Sequence, residues 1–159
     1  MTVAPLLYEF PVDAGLKALK FRRKLQYAPM FARLLLHALS QVQDDFDVLL
    51  PVPLHWRRLA SRGFNQAAEL GRPLARDMGL PMLRSVIRHR PTSFQTGLSA
   101  RDRNRNLVHA FTVKRPVAAR HVLIVDDVVT TGATTRHLAA ELLRKGAEKV
   151  SVAAVARAI

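Results

Sequence analysis

Apolar residues follow two different periods along the chain, and segments of the two kinds alternate. Helical spacing, with apolar residues three and four positions apart, begins at Pro29 and again at Gly63. Short continuous apolar runs, typical of strands covered on both faces, occupy residues 47–50, 121–125 and 150–155. This alternation predicts an α/β fold in which a mostly parallel central sheet carries helices on both faces.

The length of the chain, 159 residues, is close to the usual size of one domain. No repeat, low-complexity segment or Ser/Gly linker marks an internal boundary. We therefore expect a single domain over residues 1–159, with amino-terminal helices in about residues 1–45 and the core in about residues 46–159.

Basic residues outnumber acidic residues. The 25 Lys and Arg residues against 12 Asp and Glu residues give a formal net charge of +13, so the surface should attract polyanions such as nucleic acid or polyphosphate. Most of this charge is arginine, whose planar guanidinium suits bidentate phosphate contacts. Phosphate chemistry is therefore the leading expectation.

The chain contains no cysteine. This excludes a disulfide scaffold, a Cys-ligated zinc site, an iron–sulfur cluster and a thiol nucleophile, and we expect no zinc. We find neither a secretory signal nor an apolar run long enough to cross a bilayer. The expectation is a cytoplasmic protein without membrane insertion.

The sharpest chemical signal follows the apolar run at residues 121–125. We expect a turn over residues 126–132, with Asp126 and Asp127 at its start and the sequence Thr-Thr-Gly-Ala-Thr at residues 130–134 leading into a helix. Carboxylates at this end of a buried parallel strand lie where open α/β sheets bind ligands, and they can hold vicinal hydroxyls. Free N–H groups at the helix start favour a phosphate. The pattern predicts a sugar phosphate site; the structural alternative is a turn with capping threonines.

This arrangement resembles the phosphoribosyl pyrophosphate (PRPP) motif of type I phosphoribosyltransferases, which joins a hydrophobic strand, two acidic residues and a Thr/Gly phosphate loop. The resemblance implies a type I phosphoribosyltransferase-like fold in which the acidic pair binds the ribose hydroxyls and the loop wraps the 5-phosphate. It assigns PRPP binding to Asp126, Asp127, Thr130, Thr131, Gly132, Ala133 and Thr134. Mg²⁺ is expected to enter with PRPP, and no protein side chain is assigned as its direct ligand.

Further motifs extend a narrower resemblance over nearly the whole chain. In order and spacing the chain is similar to the ComF family of competence-associated proteins at Pro51-Val52-Pro53-Leu54, at Arg62-Gly63-Phe64-Asn65-Gln66, and at Thr92, Gln95, Leu98, Arg103, Asn106 and Phe111. Two departures are the missing amino-terminal Cys-rich zinc module and His109, which stands where a glycine is common. The resemblance implies a role in DNA uptake, with competence-machinery proteins as partners.

The loop after the first core strand contacts pyrophosphate in the enzymes that the chain resembles, often through a non-proline cis peptide bond. The resemblance places that bond within residues 52–58. Arg62 is the preferred diphosphate ligand and completes the candidate catalytic set with the two aspartates. The alternative is a solvated loop over residues 55–62. Further candidates in this loop are Val52, Pro53, Arg57 and Arg58.

Two more side chains near this loop have two interpretations each. Trp56 could stack a base, but a lone tryptophan in a loop more often packs against the protein. Asn65 could touch a ligand, but it stands at a helix start, where asparagine is an ordinary cap. Packing and capping are the favoured interpretations.

A second group of arginines brackets residues 91–100, which follow neither period and predict a mobile loop. We interpret this segment equally as a basic flap that closes over the diphosphate or as a track for single-stranded nucleic acid, with a solvated face as the third option. The candidate residues are Arg84, Arg88, Arg90, Gln95, Arg101, Arg103 and Arg105.

Two functions remain open. The first is an enzyme that transfers the ribosyl phosphate of PRPP to an unidentified nucleophile and releases pyrophosphate. The second is a DNA-uptake accessory protein that keeps the PRPP pocket as a sensor and binds single-stranded DNA. Nucleobase salvage is the alternative enzyme; it is disfavoured because the sequence ends soon after residues 150–155 and leaves only about residues 6–42 to form a base-binding hood.

Overall fold

A computed structural model of the chain describes residues 1–89 and 110–158. The strands are β1 (Thr2–Val3), β2 (Leu6–Leu7), β3 (Val48–Pro51), β4 (Val86–Arg88), β5 (Phe111–Val113), β6 (His121–Val129) and β7 (Lys149–Arg157). The helices are α1 (Val12–Arg22), α2 (Tyr27–Ser40), α3 (Trp56–Arg62), α4 (Gln66–Met78) and α5 (Ala133–Arg144). None of the helices in this described part has the length and apolar character needed to span a bilayer.

The central sheet has five parallel strands, with the order β1-β7-β6-β3 and with β2 paired to β7 as well. Its centre is the pair β6–β7, in which Ile124 lies opposite Val152, while Leu50 of β3 lies opposite Ile124 on the other side. β4 and β5 form a separate antiparallel pair. The predicted mostly parallel sheet is confirmed.

Apolar cores cover both faces of this sheet. Because side chains alternate along a strand, Ile124 lies in the core beside α5 and the β4–β5 pair, whereas Leu123 and Val125 lie in the core beside α1, α2 and α4. All three side chains are completely buried. The prediction of helices on both faces is therefore confirmed.

The helix α4 sets the position of the loop that precedes it. Its cap is Asn65, whose Oδ1 accepts a hydrogen bond from the Ala67 N–H at 3.0 Å, and it ends at Gly79 with φ of 68°. Gly71 lets the helix approach β3 closely, since a Cβ there would lie 3.0 Å from Cγ of Pro51. The cap and the end of the helix agree with the prediction, and the helix begins after Asn65 rather than at Gly63.

Two local predictions are wrong. The expected loop at residues 55–62 contains α3, which has no buried side chain and so no apolar period to reveal it. The ends define it instead: His55 Nδ1 accepts from the Arg57 N–H at 3.3 Å, and Gly63 has φ of 82°. The expected turn at residues 126–132 is shorter, because β6 keeps pairing with β7 through Val129. Residues 91–100, expected as a mobile loop, lie outside the described residues.

The amino-terminal residues contribute to both the sheet and the core. β1 and β2 extend the sheet beside β7, and Leu16 and Leu19 of α1 are buried. The division of the domain near residue 45 stays a prediction.

Candidate functional site

The candidate site lies at the carboxyl end of β6, where this strand extends beyond β3. β3 ends at Pro51, opposite Val125, and the N–H of Val52 donates to the Val125 carbonyl at 2.9 Å. β6 then continues along β7 as far as Val129. The end of β6 therefore lies beside the loop after β3 and leads into the loop after β6, the position at which open α/β sheets bind ligands.

Asp126 and Asp127 stand at this end of β6, on opposite faces of the strand. The N–H of Asp127 donates to Oδ1 of Asp126 at 2.9 Å, and Asp127 is only 4% exposed. Although Asp126 keeps some contact with solvent, burial of its carboxyl and the adjacent charge of Asp127 raise its pKa well above the ordinary value. The pair resists full ionisation unless a cation or hydroxyl donors stabilise it.

Lys20 of α1 supplies one such cation. Its Nζ lies 2.7 Å from Oδ2 of Asp127, and the two side chains keep 23% and 6% of their exposure. The positive charge of Lys20 also opposes the rise in the pKa of Asp126. The amino-terminal helix therefore reaches directly into the site.

The loop after β6 has the features of a phosphate cradle. Gly132 caps α5 with φ of 71°, a conformation that a β-branched residue adopts only under strain. Thr131 Oγ1 accepts from the Ala133 N–H at 3.4 Å, and Thr135 Oγ1 donates to the Gly132 carbonyl at 3.0 Å. Arg136 Nη1 donates to the Thr131 carbonyl at 2.6 Å. Helix N–H groups, threonine hydroxyls and a guanidinium thus lie together.

The loop after β3 is held by Asn65, whose Nδ2 donates to the carbonyl of Val52 at 3.0 Å. Val52 is buried and Pro53 is partly exposed. The expected cis peptide within residues 52–58 is wrong: the cis bond found among the described residues is Phe10–Pro11. The hydrogen bonds of Val52 to Asn65 and to β6 hold this loop with trans peptide bonds.

Arg62, the last residue of α3, lies within electrostatic range of Asp127. Its Nη1 donates to Oε1 of Gln66 at 2.5 Å. Burial lowers the pKa of Arg62, and the nearby charge of Asp127 opposes this shift. Burial, followed by the charge of Arg62, lowers the pKa of Arg58. The two guanidiniums are therefore near enough for their charges to interact.

Arg88 approaches the same pair from β4. It is 6% exposed, and its Cζ lies 5.3 Å from the centre of the Phe111 ring. Burial and then the charge of Arg58 lower its pKa to about 10, whereas Asp126 raises it. The assignment of Arg88 to a basic flap is wrong, because its inward position in a strand buries it, while Arg84 is exposed.

The structure brings together most of the predicted site. Val52, Arg58 and Arg62 lie near the acidic pair, Thr130 is exposed in the loop after β6, and Thr134 is partly buried in the first turn of α5. Five predicted site residues lie outside the described part of the chain: Arg90, Gln95, Arg101, Arg103 and Arg105.

Arg57 and Trp56 contact each other on the exposed surface of α3. Arg57 is exposed, with its Cζ 5.3 Å from the centre of the Trp56 ring, and Trp56 is 64% exposed. The prediction that Trp56 packs against the protein is therefore wrong. No side chain of α3 is fully buried, so the helix has no core-facing position for a tryptophan.

Sequence reasoning missed Lys20 and assigned Arg88 to the wrong structural element. Arg88 follows Val86 with strand alternation, which is a usable signal for an inward-facing arginine. Lys20 has no such signal, because its partner Asp127 lies far away in the sequence and only the fold joins them.

The arrangement offers acceptors for hydroxyl groups, N–H donors for a phosphate and guanidiniums for further anionic charge. Within residues 1–89 and 110–158, no group of three His, Asp or Glu side chains could hold a metal ion. Mg²⁺ is commonly bound by one or two carboxylates together with substrate phosphates. The acidic pair therefore fits an ion that arrives with a phosphorylated ligand.

Comparison with known proteins agrees with this geometry. The family model described as the phosphoribosyl transferase domain matches residues 28–159. The chain is 41% identical over 158 residues to the DNA utilization protein YhgH of Salmonella typhimurium, covering 96% of this chain and 70% of that protein. It is 34% identical over 160 residues to competence protein F of Haemophilus influenzae, covering 95% and 70%.

Among solved structures, the chain is similar to the glutamine phosphoribosylpyrophosphate amidotransferase from B. subtilis. The TM-score is 0.53 and the identity 19%, over 80% of this chain and about a quarter (26%) of that one. At this identity the similarity shows the fold alone. The family match covers residues 28–159 and therefore does not include Lys20.

Proposed function

This chain belongs to the phosphoribosyl transferase domain family, within its ComF group, and from this membership we propose that it binds PRPP in the cytoplasm. The observation that carries the proposal is the placement of Asp126 and Asp127 near the carboxyl end of β6, which leads into a loop that ends at the left-handed cap Gly132. Carboxylates for a sugar and N–H groups for a phosphate are thereby adjacent on one strand-to-helix connection.

Each part of PRPP has a matching set of groups in this proposal. The ribose hydroxyls donate to Asp126 and Asp127, and the 5-phosphate accepts from the N–H groups of the loop at residues 130–134. The diphosphate lies toward Arg62 and the loop after β3. Arg58 and Arg88 add further positive charge to this region, since the charge of Arg62 lowers the pKa of Arg58 and the charge of Arg58 lowers the pKa of Arg88.

Transfer would break the bond between ribose C1 and the diphosphate oxygen, which keeps the electron pair, while an acceptor nucleophile bonds to C1. The arginines stabilise the charge on the departing diphosphate, and the acidic pair orients the ribose. Mg²⁺, when bound, neutralises charge on the phosphate oxygens. The acceptor is left open, and a sensor that binds PRPP without turnover is the second form of the proposal.

We further infer that the chain acts in DNA utilization and binds single-stranded DNA. The relatives named for DNA utilization and competence support this role, as does the net charge of +13. Competence-machinery proteins are the proposed protein partners. Nucleobase salvage is the weaker alternative, because the relatives are named for DNA utilization and competence.

Calorimetry with PRPP and Mg²⁺ tests the first proposal, followed by an assay of pyrophosphate release with candidate acceptors. Asp127→Asn should weaken PRPP binding. The matched control is Asp44→Asn, because Asp44 pairs with Lys149 at the other end of the sheet. Wild-type protein that binds no PRPP would refute the proposal, and binding without release supports the sensor.

A further inference from the structure

The end of α1 and the helix α3 form a surface that is both basic and aromatic, here called the α1–α3 surface. Two contacts join the helices: Arg23 Nη2 donates to the Arg62 carbonyl at 3.1 Å, and Arg62 Cζ lies 5.5 Å from the centre of the Phe21 ring. Its members are Phe21, Arg22, Arg23, Lys24, Trp56, Arg57, Leu59 and Arg62.

Two aromatic side chains of this surface are unusually exposed. Phe21 is 70% exposed and Trp56 is 64% exposed, and each has a guanidinium beside its ring, from Arg62 and Arg57 respectively. Aromatic rings this exposed bury little area within the chain, so packing does not account for them. An open ring flanked by arginine is the arrangement on which an unpaired base stacks.

The charge of the surface has one sign. Residues 21–25 and 56–62 together carry six Lys and Arg residues and no Asp or Glu. Such a patch attracts a polyanion, and the exposed rings favour one whose bases are free to stack. In a duplex the bases already stack on one another, so the rings select single strands.

We propose that the α1–α3 surface binds single-stranded DNA, with bases on Trp56 and Phe21 and phosphates on the surrounding arginines. The proposal rests on the proposed role in DNA utilization and assigns its site. Trp56 and Arg62 are separated by about 9 Å along the axis of α3, and Arg62 lies beside Phe21. Trp56 therefore lies at the first residue of α3 and Phe21 beside its last residue, so a strand that follows α3 would contact both rings.

The surface also adjoins the candidate PRPP site. Arg62 lies against Phe21 on one side and is near enough to Asp127 for the two charges to interact on the other. Lys20, which pairs with Asp127, directly precedes Phe21. A DNA strand on these rings would therefore lie next to the end of β6.

Trp56 is the single tryptophan of the chain, so its fluorescence reports on this surface directly. We expect oligo(dT) to quench it, with the same midpoint that the anisotropy of a labelled oligo(dT) gives. A duplex of equal length should compete poorly. Strong binding without any change in Trp56 emission would place DNA elsewhere and overturn the assignment, while the proposed DNA role would stand.

Substitutions separate stacking from general charge. Trp56→Ala and Phe21→Ala should each weaken oligo(dT) binding about tenfold, as expected for one lost stacking contact, and Trp56→Phe should restore most of it. The control for the aromatic change is Phe10→Ala, because Phe10 is 83% exposed at the other end of α1. Equal losses from Phe10→Ala and Phe21→Ala would overturn the proposal.

Charge is tested by Arg57→Ala, with Arg115→Ala as the control because Arg115 is exposed outside the surface. Only Arg57→Ala should reduce both the affinity and the salt dependence. Trp56→Ala should leave PRPP binding at the wild-type level in calorimetry. Failure of the wild type to bind oligo(dT) even at low salt would refute the DNA role together with its site, whereas PRPP calorimetry tests the other proposal separately.

Discussion

Amide substitution at the two adjacent carboxylates should change stability in opposite directions. Asp127 has its Oδ2 2.7 Å from Nζ of Lys20, whereas burial and the charge of Asp127 raise the pKa of Asp126. Asp127→Asn therefore removes a favourable ion pair, and Asp126→Asn removes an unfavourable charge. Because asparagine keeps the shape of aspartate, packing changes little in either variant.

The expected loss of stability in Asp127→Asn follows from the geometry of the Lys20–Asp127 ion pair. At an effective dielectric constant of about 20, unit charges 2.7 Å apart attract by about 6 kcal/mol, and desolvation offsets much of this. Removing one partner of a buried pair costs about 3–5 kcal/mol. Lys20 keeps 23% of its exposure and can regain hydration, so we expect about 2–3 kcal/mol for Asp127→Asn. For a chain of this length, Tm should fall by about 4–12 °C.

Lys20→Met should destabilise the protein more than Asp127→Asn does. It leaves the carboxylate of Asp127, whose side chain is 6% exposed, without its cation. The expected loss is about 3–5 kcal/mol. The double variant Lys20→Met with Asp127→Asn should recover part of this loss, since no charge is then left unpaired. Losses that simply add in the double variant would show that the pair contributes no coupling energy.

Stability should also depend on pH through Asp126. Its raised pKa means that the folded protein holds a proton that the unfolded chain has already released. Between the ordinary and the raised pKa the folded state binds more protons, so the free energy of unfolding decreases as pH rises. Asp126→Asn removes this decrease and should be more stable than the wild type above that range.

Urea unfolding followed by far-UV circular dichroism, repeated across pH, measures these differences. PRPP calorimetry should show weaker binding for both single amide variants, by roughly 10- to 150-fold for each lost charged hydrogen bond. Asp44→Asn serves as the surface control for both measurements. If Asp126→Asn and Asp127→Asn shift the urea midpoint in the same direction, the electrostatic account of the pair is refuted.

Two further predictions concern the phosphate loop and the arginines outside the described residues. Gly132→Val should abolish PRPP binding in calorimetry while Thr131→Ala only weakens it, because a β-branched residue at φ of 71° strains the cradle; equal binding by both variants would contradict this. Arg101, Arg103 and Arg105 changed together to Ala should lower the affinity for single-stranded DNA and reduce its salt slope by about 0.7 per lost contact, read by anisotropy over a salt series. Loss of PRPP binding with an unchanged slope would contradict it.

The sequence predicts well those parts of the fold whose signals are local. β6 begins with a continuous apolar run because it is central in the sheet, and the acidic pair follows this run within the same strand, before the phosphate loop. Gly79 ends α4 as predicted, because a left-handed residue after a helix favours glycine. In each case the information lies within a few neighbouring residues.

The missed features depend on contacts between distant segments. α3 has no fully buried side chain, so its residues show no apolar period, and its one tryptophan lies on the surface. Lys20 reaches Asp127 only because α1 packs against the face of the sheet to which that carboxylate belongs. Without the fold, nothing joins these two residues.

The charges of the site are unbalanced in a way that itself points to an anionic ligand. Two carboxylates meet the cations Lys20, Arg58, Arg62 and Arg88, and the pKa values of the three arginines are all lowered by burial. Neighbouring guanidiniums also lower one another's pKa, as Arg62 does for Arg58 and Arg58 for Arg88. Gathering them beside one strand end therefore opposes folding. A ligand with several phosphate charges would relieve this repulsion on binding, so its presence should stabilise the folded chain.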